Sequence, residues 1–279
     1  KHGTKILNNV LALCTFPTAT PLHRQPYESE VLDGVESAAD RHNLDVLQCR
    51  LRPQHLPRLI EKGDVDGIII LSGSSERLRQ LRTLGIPIVH LGSTFPGCHS
   101  VSAAHEVGAR LATEHLIGLG HRHIAFIGHE IQIALDESTL AEAAQKRLNG
   151  FRIAMEMAAL PVEWIDSTLR ESFPDYGARA FETLWEKSRG KITAVVCYND
   201  TLAMGVLQAA QKLGLKVPQD LSVVGFDNVS EDYHFEPRIA SIHFDREQMG
   251  VRAVEILMQV READRIATEY IEEKLPVTF

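Results

Sequence analysis

Apolar residues along this chain come in short blocks rather than in strict alternation with polar ones. Runs rich in Val, Ile and Leu recur at Asn9–Leu13 (NVLAL), Leu44–Cys49, Ile68–Leu71, Ile86–Leu91 (IPIVHL), Arg122–Ile127, Ile192–Cys197 and Leu221–Gly225. Runs of this kind predict strands covered on both faces. Between them the apolar residues fall at helical spacing. Tyr27–His42 places Val31, Leu32, Val35, Ala38 and Ala39 on one face. Further helices are predicted over Arg52–Lys62, Glu76–Leu84, Glu106–Leu119, Pro174–Ser188 and Asp245–Val260. Ser138–Ala159 predicts a long helix broken near Gly150. Val162–Asp166 predicts a weak strand, Ile239–Phe244 a crossing strand, and Tyr270–Phe279 a last strand. Strand followed by helix, repeated, predicts an α/β fold of parallel, doubly wound sheets. The pattern restarts near Ser100–Ala104, and 279 residues exceed one typical domain, so two lobes of similar construction are expected.

The stretch Thr193–Ser230 carries the clearest candidate chemistry. It reads as strand, loop, helix, loop, strand, with Tyr198-Asn199-Asp200 after the first strand and Phe226-Asp227-Asn228 after the second. Parallel strands joined by a helical crossover end on the same sheet edge, so Asn199 and Asp227 are expected side by side at the C-terminal edge, where open α/β folds bind ligands. A carboxylate accepts from two hydroxyls and an amide both donates and accepts, a pairing suited to a polyhydroxylated molecule. The alternative is that Asn199 or Asp200 caps the helix and Asp227 is a turn residue.

Composition narrows the classes. Hydrophobic content of 44% with only 6% aromatics suits parallel sheets built from Val, Ile, Leu and Ala. A net charge of −8 argues against nucleic acid as a direct partner of this polypeptide. Cys14, Cys49, Cys98 and Cys197 are scattered, with no Cys-x-x-Cys pair, which points to a reducing, cytoplasmic setting. No apolar run approaches the roughly 20 residues that span a bilayer, so no membrane partner is expected. No signal peptide is visible, and Lys1 is not a native start, so an upstream segment is expected to be missing.

No phosphate-cradling G-x-G-x-x-G follows a strand, and neither a P-loop nor a G-x-S-x-G elbow occurs, so no catalytic residue or cofactor is assigned. Of the thirteen histidines, His121 and His123 flank Arg122, and His129-Glu130 lacks a second histidine; no metal site is predicted and most are expected on the solvated surface. Ser72-Gly73-Ser74-Ser75 precedes a helix and could hold an anion.

Several longer stretches point one way. They are Val65-Asp66-Gly67-Ile68-Ile69-Ile70, Ile86-Pro87-Ile88-Val89, Gly108-Ala109 through His115-Leu116, and Leu119-Gly120-His121-Arg122-His123-Ile124-Ala125-Phe126-Ile127-Gly128. With them stand Arg147-Leu148-Asn149-Gly150-Phe151, Asn199-Asp200 with Ala203-Met204-Gly205, and Pro218 through Phe226-Asp227. Together they resemble the signatures of the effector-binding core of LacI/GalR-type transcriptional regulators, from about Asn9 to the C-terminus.

The resemblance implies two lobes of periplasmic-binding-protein type joined by a multi-strand hinge and closing on a small molecule, usually a sugar or a purine-like compound. The lobes expected are 1–104 plus 242–265 and 105–241 plus 266–279. It implies a homodimer, and operator DNA as a partner only through an N-terminal helix-turn-helix headpiece that this sequence lacks. Arg147, Asn199 and Asp227 stand where the family's effector-gripping residues stand. Phe173 stands near the aromatic that stacks on the ligand, and Thr15, Phe16 and Ser72 follow strand ends that should face the cleft. The chain departs from the pattern at Gly92, where many members have an acid, and at Ala104-His105, in place of a frequent Asp-Asn pair. Its loop Thr15–Gln25 is long and holds His23 and Arg24. These departures leave an anionic or phosphorylated ligand open. The alternative reading is a periplasmic sugar-binding protein of a transport system, which shares the two-lobe design.

Overall fold

Two parallel sheets organise the chain. In a computed structural model, the residues described are 8–15, 26–51, 55–71, 75–129, 140–163, 165–169, 174–229, 236–262 and 269–279. The first sheet has the order β11-β5-β4-β3-β1-β2, built from β1 (Val10–Thr15), β2 (Asp45–Arg50), β3 (Gly67–Ile70), β4 (Ile88–Leu91), β5 (His99–Ala103) and β11 (Glu272–Leu275). The second has the order β10-β9-β8-β6-β7, built from β6 (Ile124–His129), β7 (Ile165–Leu169), β8 (Ala194–Cys197), β9 (Ser222–Phe226) and β10 (Ala240–Ile242). All ladders within both sheets are parallel. The first sheet belongs to a unit of residues 1–103, 136–140 and 245–275, and the second to a unit of 104–135, 141–244 and 276–279.

Each sheet is covered by helices, as apolar strands require. Gly67–Ile70 and Ile88–Leu91 are buried at every position. In the first unit lie α1 (Pro26–Arg41), α2 (Arg58–Glu61), α3 (Ser75–Arg82) and α8 (Arg246–Glu262). In the second lie α4 (His105–Gly118), α5 (Leu140–Met157), α6 (Pro174–Ser188) and α7 (Asp200–Lys212). Helix pairs meet backbone to backbone through glycine. A Cβ at Gly34 of α1 would stand 1.9 Å from the Glu247 carbonyl oxygen of α8, and one at Gly250 would stand 2.2 Å from that of Val31. On α7, a Cβ at Gly205 would stand 1.8 Å from the Pro174 carbonyl of α6.

Gly150 works the same way and corrects an expectation. It does not break its helix: α5 runs unbroken over Leu140–Met157, and a Cβ at Gly150 would stand 2.1 Å from the Glu106 carbonyl oxygen of α4. The glycine serves close approach rather than a kink. Two strands also differ from expectation. The apolar pattern does not predict β5, because His99, Ser100 and Ser102 give it no apolar run although all five of its residues are buried. The last strand, expected in the second lobe, is β11, which pairs with β5, Glu272 opposite Ser100 and Leu275 opposite Ala103, and so extends the first sheet. A terminal strand carries no local signal for the edge it joins.

Buried histidines are more numerous than expected. His90, His99 and His105 are all buried. The His99 Nδ1 accepts from the Ile271 backbone N–H at 3.1 Å, tying β5 to the approach to β11. The His121 ring meets the Thr193 hydroxyl at 2.9 Å and the Ser222 hydroxyl at 3.0 Å, bracing the N-terminal ends of β8 and β9. Among the described residues there is no cluster of three metal-ligating side chains, and no helix is long and apolar enough to cross a membrane.

Candidate functional site

The C-terminal edge of the second sheet gathers the charged residues of interest. β8 ends in Cys197, and the chain turns through Tyr198 and Asn199 into α7. Asn199 is extended, φ −148° and ψ 174°, and its Oδ1 accepts from the Leu202 backbone N–H at 3.0 Å. It is therefore the helix cap. The neighbouring Asp200 points inward instead: its carboxylate is fully buried and accepts from the Ser241 hydroxyl at 2.6 Å. Gly225 on β9 makes room for it, since a Cβ there would stand 2.0 Å from Asp200 Oδ1. Ser241 Oγ in turn accepts from the Asn228 backbone N–H at 3.0 Å.

Beyond β9 the backbone takes an uncommon turn. Asp227 has φ 93° and Asn228 φ 54°, two consecutive non-glycine residues in left-handed conformation. Such conformations are costly except for Asn, Asp and Gly and concentrate at functional sites. The Asp227 N–H is held by the Ile242 carbonyl at 2.9 Å. This turn aims the Asp227 carboxylate at α5, where Arg147 Nη2 donates to Asp227 Oδ1 at 3.0 Å.

Arg147 is fixed on every side. Its Nε–H donates to His105 Nδ1 at 3.2 Å, and Nη1 donates to the Tyr198 carbonyl oxygen. Its guanidinium carbon lies 3.6 Å from the Phe226 ring centroid and 4.4 Å from that of Tyr198. The Arg147 side chain is 5% exposed and that of Asp227 13%. A guanidinium donates only, so His105 is neutral at Nδ1 and carries its proton on Nε2. Burial holds the Tyr198 phenol above its ordinary range; Arg147 pulls it down and Asp227 pushes it up. Burial likewise raises the Cys197 thiol, with the Asp200 charge adding to it.

Comparison with known proteins places the chain. A family model described as a periplasmic binding protein-like domain matches residues 113–277. The HTH-type transcriptional repressor PurR of Vibrio vulnificus (strain CMCP6) is 32% identical over 246 residues, which span 83% of this chain and 70% of that repressor. The chain belongs to the LacI/GalR family of transcriptional regulators. A LacI family transcriptional regulator from Mycobacterium smegmatis superposes with a TM-score of 0.78 at 27% identity, covering 96% of this chain and 97% of that one. The transcriptional regulator CelR, solved as its cellobiose complex, shares the fold, with a TM-score of 0.80 at 24% identity over 97% of this chain and 82% of that one.

In this LacI/GalR core, Arg147 and Asp227 meet each other directly, and Asn199 adjoins the Tyr198 carbonyl that Arg147 grips. Thr15 is the last residue of β1, is buried, and accepts through its carbonyl from the Leu51 N–H at 2.8 Å. Phe16, Ser72 and Phe173 lie outside the described residues, as do His23 and Arg24. Two residues were missed. The sequence offers Asp200 only as a cap, yet a glycine two residues before Asp227 signals that something packs on the strand there. His105, in the sequence only a departure from the family pattern, supports Arg147.

Proposed function

We propose that this chain is the effector-sensing core of a DNA-binding regulator, and that a small hydroxyl-bearing effector binds at Arg147, Asn199 and Asp227. The observation that carries the reading is the rigid setting of Arg147. Three acceptors and two ring faces fix its guanidinium, while two of its five N–H groups have no partner among the described residues. Asp227 Oδ2 and Asn199 Nδ2 are likewise unclaimed among the described residues. A fixed guanidinium, a free carboxylate oxygen and a free amide present alternating donors and acceptors, which is what adjacent hydroxyls require.

A putative ribose operon repressor from Burkholderia thailandensis, 26% identical with a TM-score of 0.79 over 98% of each chain, supports a sugar or sugar derivative as effector. Phe173, Thr15, Phe16 and Ser72 are further contacts in this proposal. The protein acts as a homodimer in the cytoplasm and performs no catalysis. Effector binding shifts the population between two states of the core, and operator affinity of the full-length regulator follows. Relatives named as repressors favour regulation over a transport role.

Thermal-shift screening against sugars, sugar acids and purines tests the reading. A specific ligand at a hundred times its Kd adds about 2.7 kcal/mol of stability, a readily measured shift. Operator binding by the full-length protein then responds to the same compound. A compound that binds the core without changing operator affinity at any concentration refutes the regulatory role.

A further inference from the structure

The first unit holds a buried cation whose hydrogen-bonding capacity is mostly unused. Arg246 is the first residue of α8, and 4% of it is exposed. Its Nη2 pairs with the Glu30 carboxylate of α1, whose side chain is 38% exposed. Its Nε and Nη1 groups are buried and have no hydrogen-bond partner among the described residues. A charged donor removed from water without an acceptor is among the costlier arrangements in a protein interior. A cation at the first position of a helix also opposes the positive end of the helix dipole. Sequence neighbours do not relieve it. Asp245 Oδ1 is committed to the Gln248 N–H at 2.7 Å, and the Glu247 carbonyl packs on Gly34. Glu28, whose Oε2 is also buried without a partner, senses the Arg50 charge instead.

The location is a sheet edge. Tyr27, in the first turn of α1, places its hydroxyl 3.6 Å from Met249 Sδ in the first turn of α8. The same hydroxyl would stand 3.7 Å from a Cβ at Gly92, immediately after β4. The starts of α1 and α8 therefore converge at the C-terminal end of a parallel strand, the edge at which α/β sheets receive ligands. A guanidinium there has a vacant donor on each of its two edges, Nε–H on one and Nη1–H on the other, and either can donate to an oxyanion oxygen.

We propose that Arg246 is an anion subsite of the first unit that takes a carboxylate or phosphate group, so that the compound sensed is a sugar acid or a sugar phosphate rather than a neutral sugar. This deepens the proposed function and rests on it for the organic part of the ligand. The shared chemistry is the oxyanion, which reaches the site either free or carried on a carbon skeleton.

The test uses the whole chain and three variants, Arg246→Met, Arg246→Lys and Arg246→Gln. Melting temperature and calorimetric affinity are read for inorganic phosphate and sulfate against chloride at equal ionic strength. Matched pairs follow: ribose against ribose 5-phosphate, and glucose against glucose 6-phosphate and gluconate. The wild type is expected to be stabilised by phosphate beyond chloride, and to bind the anionic member of at least one pair about tenfold or more tighter than the neutral one. Arg246→Met and Arg246→Gln lose that preference, and Arg246→Lys keeps part of it as a point charge. If Arg246→Met does not fold, Arg246→Gln and Arg246→Lys carry the comparison. Phosphate acting no better than chloride on the wild type, or an anion preference that survives Arg246→Met or Arg246→Gln, overturns the proposal. Neutral sugars binding with no anion effect defeats the subsite and leaves the effector reading standing. An Arg246-dependent phosphate effect with no organic compound bound does the reverse.

Discussion

Replacing Asp227 by alanine removes the carboxylate that faces Arg147 and forces alanine into a left-handed turn. The Arg147–Asp227 pair is 3.0 Å long, with side chains 5% and 13% exposed. Breaking a buried ion pair from one side costs about 3–5 kcal/mol. Here the guanidinium keeps the Tyr198 carbonyl, His105 Nδ1 and two aromatic faces, so the lower end of that range applies. Alanine at φ 93° adds about 1 kcal/mol more. Asp227→Ala is therefore expected to cost about 3–4 kcal/mol, and Asp227→Asn only about 1–2 kcal/mol, because the amide keeps an acceptor and tolerates the turn. The assay is urea denaturation followed by tryptophan fluorescence. In a Trp164→Phe background the remaining tryptophan is Trp185 of α6, so the signal reports the unit that holds the pair. In an Arg147→Met background, Asp227→Ala should cost only the turn strain, giving a coupling of about 2–3 kcal/mol in the double-mutant cycle. A coupling below about 0.5 kcal/mol would refute the ion pair as the element that holds this edge together.

Gly225→Ala drives a methyl to 2.0 Å from the fully buried Asp200 carboxylate. It should destabilise the second unit by about 3 kcal/mol or more, read from the same fluorescence midpoint. Burial holds the His121 imidazole below its ordinary 6.5, so the unfolded chain takes up the proton first and stability of the second unit falls as pH drops below about 6.5; His121→Asn should flatten that slope. Burial pushes the Glu28 carboxyl up to about 7, so its ionised form burdens the first unit at higher pH and the burden lifts as pH falls through 7; Glu28→Gln should raise the calorimetric midpoint at pH 8 and lose its advantage at pH 5. The Cys14 thiol donates a hydrogen bond to Cys49 across the paired strands and lowers its pKa, whereas Cys98 and Cys197 are raised by burial; alkylation of the native protein followed by mass spectrometry should find Cys49 modified first.

Local signals in the sequence reached far into this fold. The helix predicted over Pro174–Ser188 forms over the same residues, because a proline suits the first helical position and an apolar face continues to its end. The apolar runs at Ile68–Leu71 and Ile192–Cys197 become central strands within two residues of the predicted limits. What sequence patterns missed depends on partners distant in the chain. β5 is polar in composition and is buried only because β4 and β11 flank it. Gly150 reads as a breaker until the Glu106 carbonyl is seen against it. At the site, the helical crossover argument placed Asn199 and Asp227 at one edge. The family resemblance brings Arg147 to the same site, but it does not predict the direct Asp227–Arg147 pair, 80 residues apart, or His105 bracing the same guanidinium. Those contacts depend on the angle at which α5 crosses the sheet, which no local pattern encodes.

Calorimetric titration of the first compound that stabilises the wild-type core, into wild type and Asp227→Asn at matched folding, tests the central claim most directly. Binding to the wild type is expected, with affinity about tenfold or more lower in the variant, since the amide keeps an acceptor but loses the charge-assisted part of the contact, about 1.4 kcal/mol. Equal affinity in the two proteins would contradict it.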